Sequence, residues 1–177
     1  MILIYLHGAP GVGKLTIAKE LAQLIPARVV DNHLTIDVAR AVFDFGASGF
    51  WSLVISLREQ VILAAASSEL PYLITTSSYS HPDDLPAFET AERLVTGNGG
   101  AVAPFYLTCP NEVLEARIGR QDRLDRGKLG SAAGLRTFLS SHSIGPVPRP
   151  NCKTVNTSDT AARETAMRIV QMLEDAP

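Results

Sequence analysis

The stretch Gly8-Ala9-Pro10-Gly11-Val12-Gly13-Lys14-Leu15-Thr16 follows the apolar run Ile2–Leu6 and opens the amphipathic stretch Lys14–Ile25. Glycines in a strand-to-helix turn let the backbone curl, so that successive N–H groups point at one anion. The helix that follows adds its positive end. Lys14 adds a full charge, placed to reach the β- and γ-phosphates of a nucleoside triphosphate. Spacing and context together predict a phosphate-binding loop spanning Gly8, Ala9, Pro10, Gly11, Val12, Gly13, Lys14, Leu15 and Thr16.

Outward from this loop, short apolar runs alternate with helical stretches. The runs are Ile2–Leu6, Arg28–Val30, Tyr72–Thr75, Val102–Leu107 and Lys153–Val155. Each is nearly continuous rather than alternating, as strands covered on both faces require. Helices are expected over Lys14–Ile25, Ser48–Ser67, Asp83–Val95 and Ala162–Leu173. Ser48–Ser67 is apolar almost all round and is expected to be substantially buried. Asp83 and Asp84 read as first-turn acids of their helix. Strands alternating with helices indicate an α/β three-layer sandwich around a parallel sheet with right-handed crossovers. The compositional shift over Gly119–Pro150, first basic, then Gly/Ser-rich, then Pro-rich, reads as a flap inserted before the last strand.

The bulk properties narrow the choice of function. With 177 residues, 46% hydrophobic and 19% charged, the chain suits one ordinary domain over 1–177. A net charge of −2 supplies no general field for nucleic acid or an anionic membrane, so any anion site is local. No apolar run reaches the length of a membrane span, and Met1–Leu6 lacks the basic start of a leader. Cys109 and Cys152 form no disulfide framework and read as reduced thiols of a cytoplasmic protein. The oligomeric expectation is a monomer or homodimer.

One position departs from the common loop pattern. The residue after the lysine is normally Ser or Thr and binds Mg²⁺; here it is Leu15, and Thr16 follows. The variant Gly-x-Pro-Gly-x-Gly-Lys-x-Thr resembles the loop of adenylate kinase. The remaining chain, with Gly13–Thr16 and Asn32–Thr35, is similar to the small P-loop kinases: adenylate, shikimate and gluconate kinases and chloramphenicol phosphotransferase. The resemblance implies the P-loop nucleoside triphosphate hydrolase fold with a five-stranded parallel sheet. It also implies a substrate-binding helical segment after the second strand and an arginine-bearing lid at about 117–150. It implies ATP as donor, with Mg²⁺ held mostly through water and substrate and touched by Thr16 and Asp31.

Other candidates cluster where such a fold binds ligands. Asp31-Asn32-His33 falls at the end of the second strand, on the edge where α/β sites form. Asp31 is the expected acceptor-side base, and Asn32 and His33 the expected substrate contacts; the alternative is that Asn32 or His33 merely caps a helix. Arg58 is the lone cation of its apolar helix and is expected either to recognise substrate, with Phe50 or Trp51 nearby, or to sit in an ion pair. Arg117, Arg120 and Arg123 recur every third residue. Phosphoryl transfer spreads negative charge that such residues stabilise, so Arg117 is assigned to the nucleotide and Arg120 and Arg123 to catalysis. A solvated face paired with Glu115, Asp122 and Asp125 is the bland alternative. Thr157-Ser158-Asp159 follows the fifth strand, where relatives place the adenine-contacting loop; the equal alternative is a helix N-cap.

The function these residues imply is a kinase moving the γ-phosphoryl group to a hydroxyl or phosphate of a small metabolite or antibiotic. The competing function is a nucleotide-dependent accessory ATPase or switch acting on a protein partner.

Overall fold

The structure is a computed structural model and describes residues 1–119 and 129–174. Five strands appear where the apolar runs predict them: β1 Ile2–His7, β2 Ala27–Val30, β3 Tyr72–Ser77, β4 Ala101–Thr108 and β5 Lys153–Asn156. They form one sheet in the order β2-β3-β1-β4-β5, and every pairing is parallel. The described helices are α1 Lys14–Leu24, α2 Asn32–Arg40, α3 Phe50–Ala66, α4 Leu85–Thr96, α5 Asn111–Ile118, α6 Ala132–Ser141 and α7 Ala162–Glu174. None of them is long and apolar enough to cross a membrane.

The continuous apolarity of β1 has a direct cause. Ile4 and Leu6 point into one core with Ile17 and Leu21 of α1 and Ala166 and Ile169 of α7. Leu3 points the other way, into a second core with Ile62 of α3 and Phe88 and Val95 of α4. Alternate residues of one strand thus serve opposite faces, and both faces are covered. Each fully buried Leu or Ile contributes roughly 1.5–3 kcal/mol against leaving it exposed.

Strand order reverses between β1 and β3, because the chain leaves β1, builds β2 at the far edge, and returns to place β3 in between. The crevice beyond the carboxyl ends of β1 and β3 is therefore the place where such a sheet accepts ligands. The glycine loop leaves β1 there, and Thr76–Ser78 ends β3 beside it.

Two sequence expectations need correction. The helix expected to be largely buried, α3, hides Phe50, Val54, Ile62 and Ala66 but leaves Trp51 46% and Ile55 38% exposed. Its neighbours are α2 on one side and α4 on the other, so among the described residues no further layer covers its outer surface. Asp83 and Asp84 are not in the first turn of α4, which begins at Leu85. Asp84 occupies the position before it and turns its Oδ2 back to accept the N–H of Ser80, 2.8 Å away.

The segment leading to β5 is fastened rather than trailing. Ile144 bridges Ser80, and Val147 is buried against the second core. Arg149 pairs with Glu92 at 2.8 Å and Glu89 at 3.2 Å, with its guanidinium over the Phe88 ring. Cys109 and Cys152 are both free thiols.

Candidate functional site

Backbone conformation shapes the loop. Gly8, Gly11 and Gly13 have φ of +140°, +92° and +101°, a region that side chains rarely tolerate. Gly8 is also pressed against β4: a Cβ there would lie 2.2 Å from the carbonyl oxygen of Leu107. The Lys14 ammonium folds over the loop and donates to the carbonyls of Gly8 at 2.7 Å and Ala9 at 2.9 Å, and to Ser78 Oγ at 3.3 Å. It thereby joins the loop after β1 to the end of β3.

Two clefts flank this loop. The larger, about 530 Å³, is lined by Lys14, Leu15 and Thr16, by Asp31 and His33, and by Phe138 of α6. The second, about 310 Å³, lies on the far side between the loop, Arg117 and Thr157–Thr165. Arg117 donates from Nη2 to the carbonyls of Thr157 at 2.8 Å and Ser158 at 3.3 Å. Thr157 donates its hydroxyl to the carbonyl of Val12 at 3.0 Å. The loop after β5 is thus tied to the phosphate loop rather than capping a helix, since α7 begins only at Ala162. Arg120 and Arg123 lie outside the described residues.

The acceptor-side candidates come together at the end of β2. Thr76 Oγ1 donates to Asp31 Oδ1 at 2.8 Å and accepts the N–H of Asn32 at 3.0 Å. Asp31 stands at the cap position of α2, yet its side chain makes no cap hydrogen bond there. The carboxylate is turned to β3 instead. Asn32 does not cap the helix either: its Oδ1 accepts from Arg58 Nη2, while Arg58 Nε donates to Thr35 Oγ1 at 3.2 Å. Arg58 therefore clasps α2 through neutral acceptors. Burial pulls its pKa down, opposed electrostatically by Tyr5 and Asp84 nearby. Phe50 and Trp51 do not line the space around Arg58; Phe50 is buried with Val54, and Trp51 faces outward.

A pocket of about 80 Å³ lies between α3 and α4, over Tyr5, Thr75 and Ser77 of the sheet. Its walls include Arg58, Glu59 and Asp84. Asp31, Asn32 and Thr76 line both this cavity and the large cleft. Sequence reading missed Tyr5, Glu59, Thr75 and Asp84. The one available signal was alternation: Tyr5 and Thr75 are polar residues on strand faces otherwise devoted to the core.

Beneath the loop, His7 is fully buried, and its pKa is lowered to about 3, first by burial and then by Lys14. Its Nε2 lies 3.6 Å from Cys152 Sγ, and Nδ1 has no partner. Its ring stacks on Tyr106.

For Mg²⁺, the fit is partial. Thr16 and Asp31 line the same cleft, but one hydroxyl and one carboxylate complete an octahedron only with phosphate and water. Among the described residues no group of three or more His, Cys, Asp or Glu gathers to hold an ion alone.

No protein-family model matches the chain, and no curated protein matches it. Solved structures do. A sugar kinase from Janibacter sp. HTCC2649 is 18% identical, with TM-score 0.68 over 100% of this chain and 96% of its own. The APS kinase of Mycobacterium tuberculosis, in complex with AMPPNP and APS, is 16% identical, with TM-score 0.66 over 98% and 97%. Shikimate kinase from Acinetobacter baumannii, in complex with shikimate, is 23% identical, with TM-score 0.54 over 97% and 92%. The chain has the fold of the small P-loop kinases. The three named neighbours differ in what they act on, so that fold leaves the acceptor open.

Proposed function

We propose that the chain is an ATP-dependent small-molecule kinase that phosphorylates a hydroxyl group. One observation carries this reading: Asp31, Asn32 and Thr76 line both the cleft over Lys14 and the cavity between α3 and α4. A molecule seated in the cavity would present a group at Asp31, on the side where Lys14 and the loop amides would hold a terminal phosphate.

The step follows from those positions. The acceptor oxygen forms a bond to the γ-phosphorus as the bond to the bridging oxygen of ADP breaks. The hydroxyl proton passes to Asp31, whose orientation Thr76 fixes. Lys14 and the loop N–H groups meet the charge that develops on the transferred group and on ADP. Arg117 and the Thr157–Thr160 loop would border the base and ribose. Mg²⁺ bound to the phosphates would neutralise part of their charge, with Thr16 and Asp31 as the residues nearest to hold its waters. Arg120 and Arg123 are the cationic residues assigned to the phosphoryl group from the sequence, as part of a lid at 117–150. A single domain over 1–177, working in the cytoplasm, completes the proposal.

The test is ADP release over a panel of small hydroxylated metabolites. A kinase stays nearly silent until its acceptor is added, whereas an accessory ATPase turns over alone or with a protein. With the acceptor found, Asp31→Asn is expected to keep ATP affinity and to lower turnover about 10²–10⁴-fold. Normal turnover in that variant would remove Asp31 from the mechanism.

A further inference from the structure

Apolar surface is distributed unevenly over the molecule. Eight large hydrophobic side chains are exposed among the described residues, and seven of them belong to α2, α3 or the loop between. The eighth, Met167, is on α7. Phe45 and Ile55 line the large cleft and the pocket beside Arg58, and so belong to the site. Leu34, Val38, Val42, Trp51 and Leu63 line neither.

α2 and α3 pack side by side through Ile36, Ala39, Phe50 and Val54, and their outward rows follow from helical spacing. On α2, Leu34 and Val38 stand one turn apart, and Val42 continues the row beyond the helix. On α3, Ser52, Ser56, Gln60 and Ala64 recur every fourth residue, all of them exposed, with Leu63 alongside. This row carries no charge. The two charged residues of α3, Arg58 and Glu59, are both turned to the pocket on the α4 side. Beside the row of α2, Asp37 and Arg40 pair with each other at 3.8 Å.

Area and charge decide what covers this face. The five side chains outside the site expose roughly 500 Å² of apolar surface, at about 200 Å² for a side chain of this size. The neutral row of α3 extends that toward the roughly 800 Å² that each partner buries in a standard interface. Depletion of charge marks an interface core. A membrane-surface helix would carry lysines and arginines beside its apolar face; here the charges beside it are an ion pair with no net charge. A second copy brings the same neutral face, and a two-fold axis requires a surface that complements itself. We propose that the outward face of α2 and α3 is a homodimer interface, with α3 packed antiparallel on α3 of a second copy. Ser52 then lies opposite Ala64 of the partner subunit, and Ser56 opposite Gln60 of the partner subunit. Small side chains let the two helix axes approach closely, while Leu34 and Val38 cover the flank. Arg58 of α3 clasps Asn32 and Thr35 of α2, so the pairing braces the two helices that wall the acceptor side. The interface does not depend on the nucleotide loop or on the kinase reading.

The test is the mass of the full chain in solution, by analytical ultracentrifugation over a range of concentrations. The expected species at about 10 μM is twice the 19.0 kDa chain. Val38→Glu and Ser56→Glu each place a carboxylate in the face, and each is expected to raise the dimer dissociation constant at least about tenfold. Both positions are exposed on the single chain, so its fold is expected to persist, as far-UV circular dichroism checks. Met167→Glu, on α7, is expected to leave the dimer unchanged. Hydrogen exchange on the wild-type chain gives a reading that needs no variant: α2 and α3 exchange more slowly at high concentration than at low. A wild-type chain that stays monomeric at about 100 μM overturns the proposal, including one that binds phosphatidylcholine vesicles instead. A dimer that survives both substitutions, or one that Met167→Glu dissociates, overturns it as well. So does concentration-dependent protection that falls outside α2 and α3.

Discussion

The loop Gly8–Thr16 takes its shape from consecutive residues, whereas the cavity around Arg58 draws its walls from β1, β3, α3 and the start of α4. The loop is held by backbone: positive-φ glycines, a carbonyl of β4 against Gly8, and carbonyls beneath the Lys14 ammonium. The cavity is held by side chains: Thr76 on Asp31, and Arg58 on Asn32 and Thr35. A site made of backbone geometry works with any nucleoside triphosphate, because every one presents the same phosphates. A site made of side chains can be rebuilt for a new acceptor without touching the loop.

The contrast predicts that a backbone change in the loop does the greatest damage. Gly8→Ala places a Cβ 2.2 Å from the Leu107 carbonyl at a φ of +140°. Neither the loop nor β4 can yield cheaply, so the expected loss is about 3 kcal/mol or more of stability, read as a shift in the denaturant midpoint. A variant as stable as the wild type would show that backbone geometry does not hold the loop.

The side chain that crosses between the regions comes next. Lys14→Ala is expected to weaken ATP binding about 100-fold, equivalent to one strong charge-assisted hydrogen bond, while the fold persists. Calorimetric titration checks it. Undiminished affinity in a folded variant would remove the phosphate site from the loop.

His7 lies where the sheet hands over to the loop and yields the smallest effect. Its pKa is about 3 in the folded chain, against 6.5 in the ordinary case. The unfolded chain therefore binds more protons below pH 6.5. The stability that neutral His7 preserves is complete above that pH and falls as pH drops toward 3. The slope approaches about 1.4 kcal/mol per pH unit, so the loss at pH 5 is about 2 kcal/mol. Denaturant midpoints at pH 7 and pH 5 measure it. His7→Gln removes this contribution, so an unchanged acid sensitivity in that variant would show that the carboxylates alone set it.

Much of this molecule is written locally. Ile2–Leu6 and the glycines after it announce a strand, a turn and a helix start, because the apolar run and the positive-φ residues act within a few positions of one another. The same holds for the remaining strands, whose continuous apolarity reflects cover on both faces. Sequence also placed Asp31 at a strand end and Arg58 on an apolar helix, since each is out of character with its surroundings.

What only the tertiary structure decided is who meets whom. Nothing in the spacing of Thr76 and Asp31 declares that a hydroxyl on β3 orients a carboxylate after β2. That contact exists because β2 and β3 are neighbours in register. Likewise Asp84 reads as an ordinary helix-start acid, and Glu59 carries no sequence signal of its own. They become walls of one cavity because α3 and α4 pack side by side over Tyr5 and Thr75. Burial set the apolar pattern and was legible; the pairing of elements turns scattered polar residues into a site, and that pairing is a property of the folded sheet.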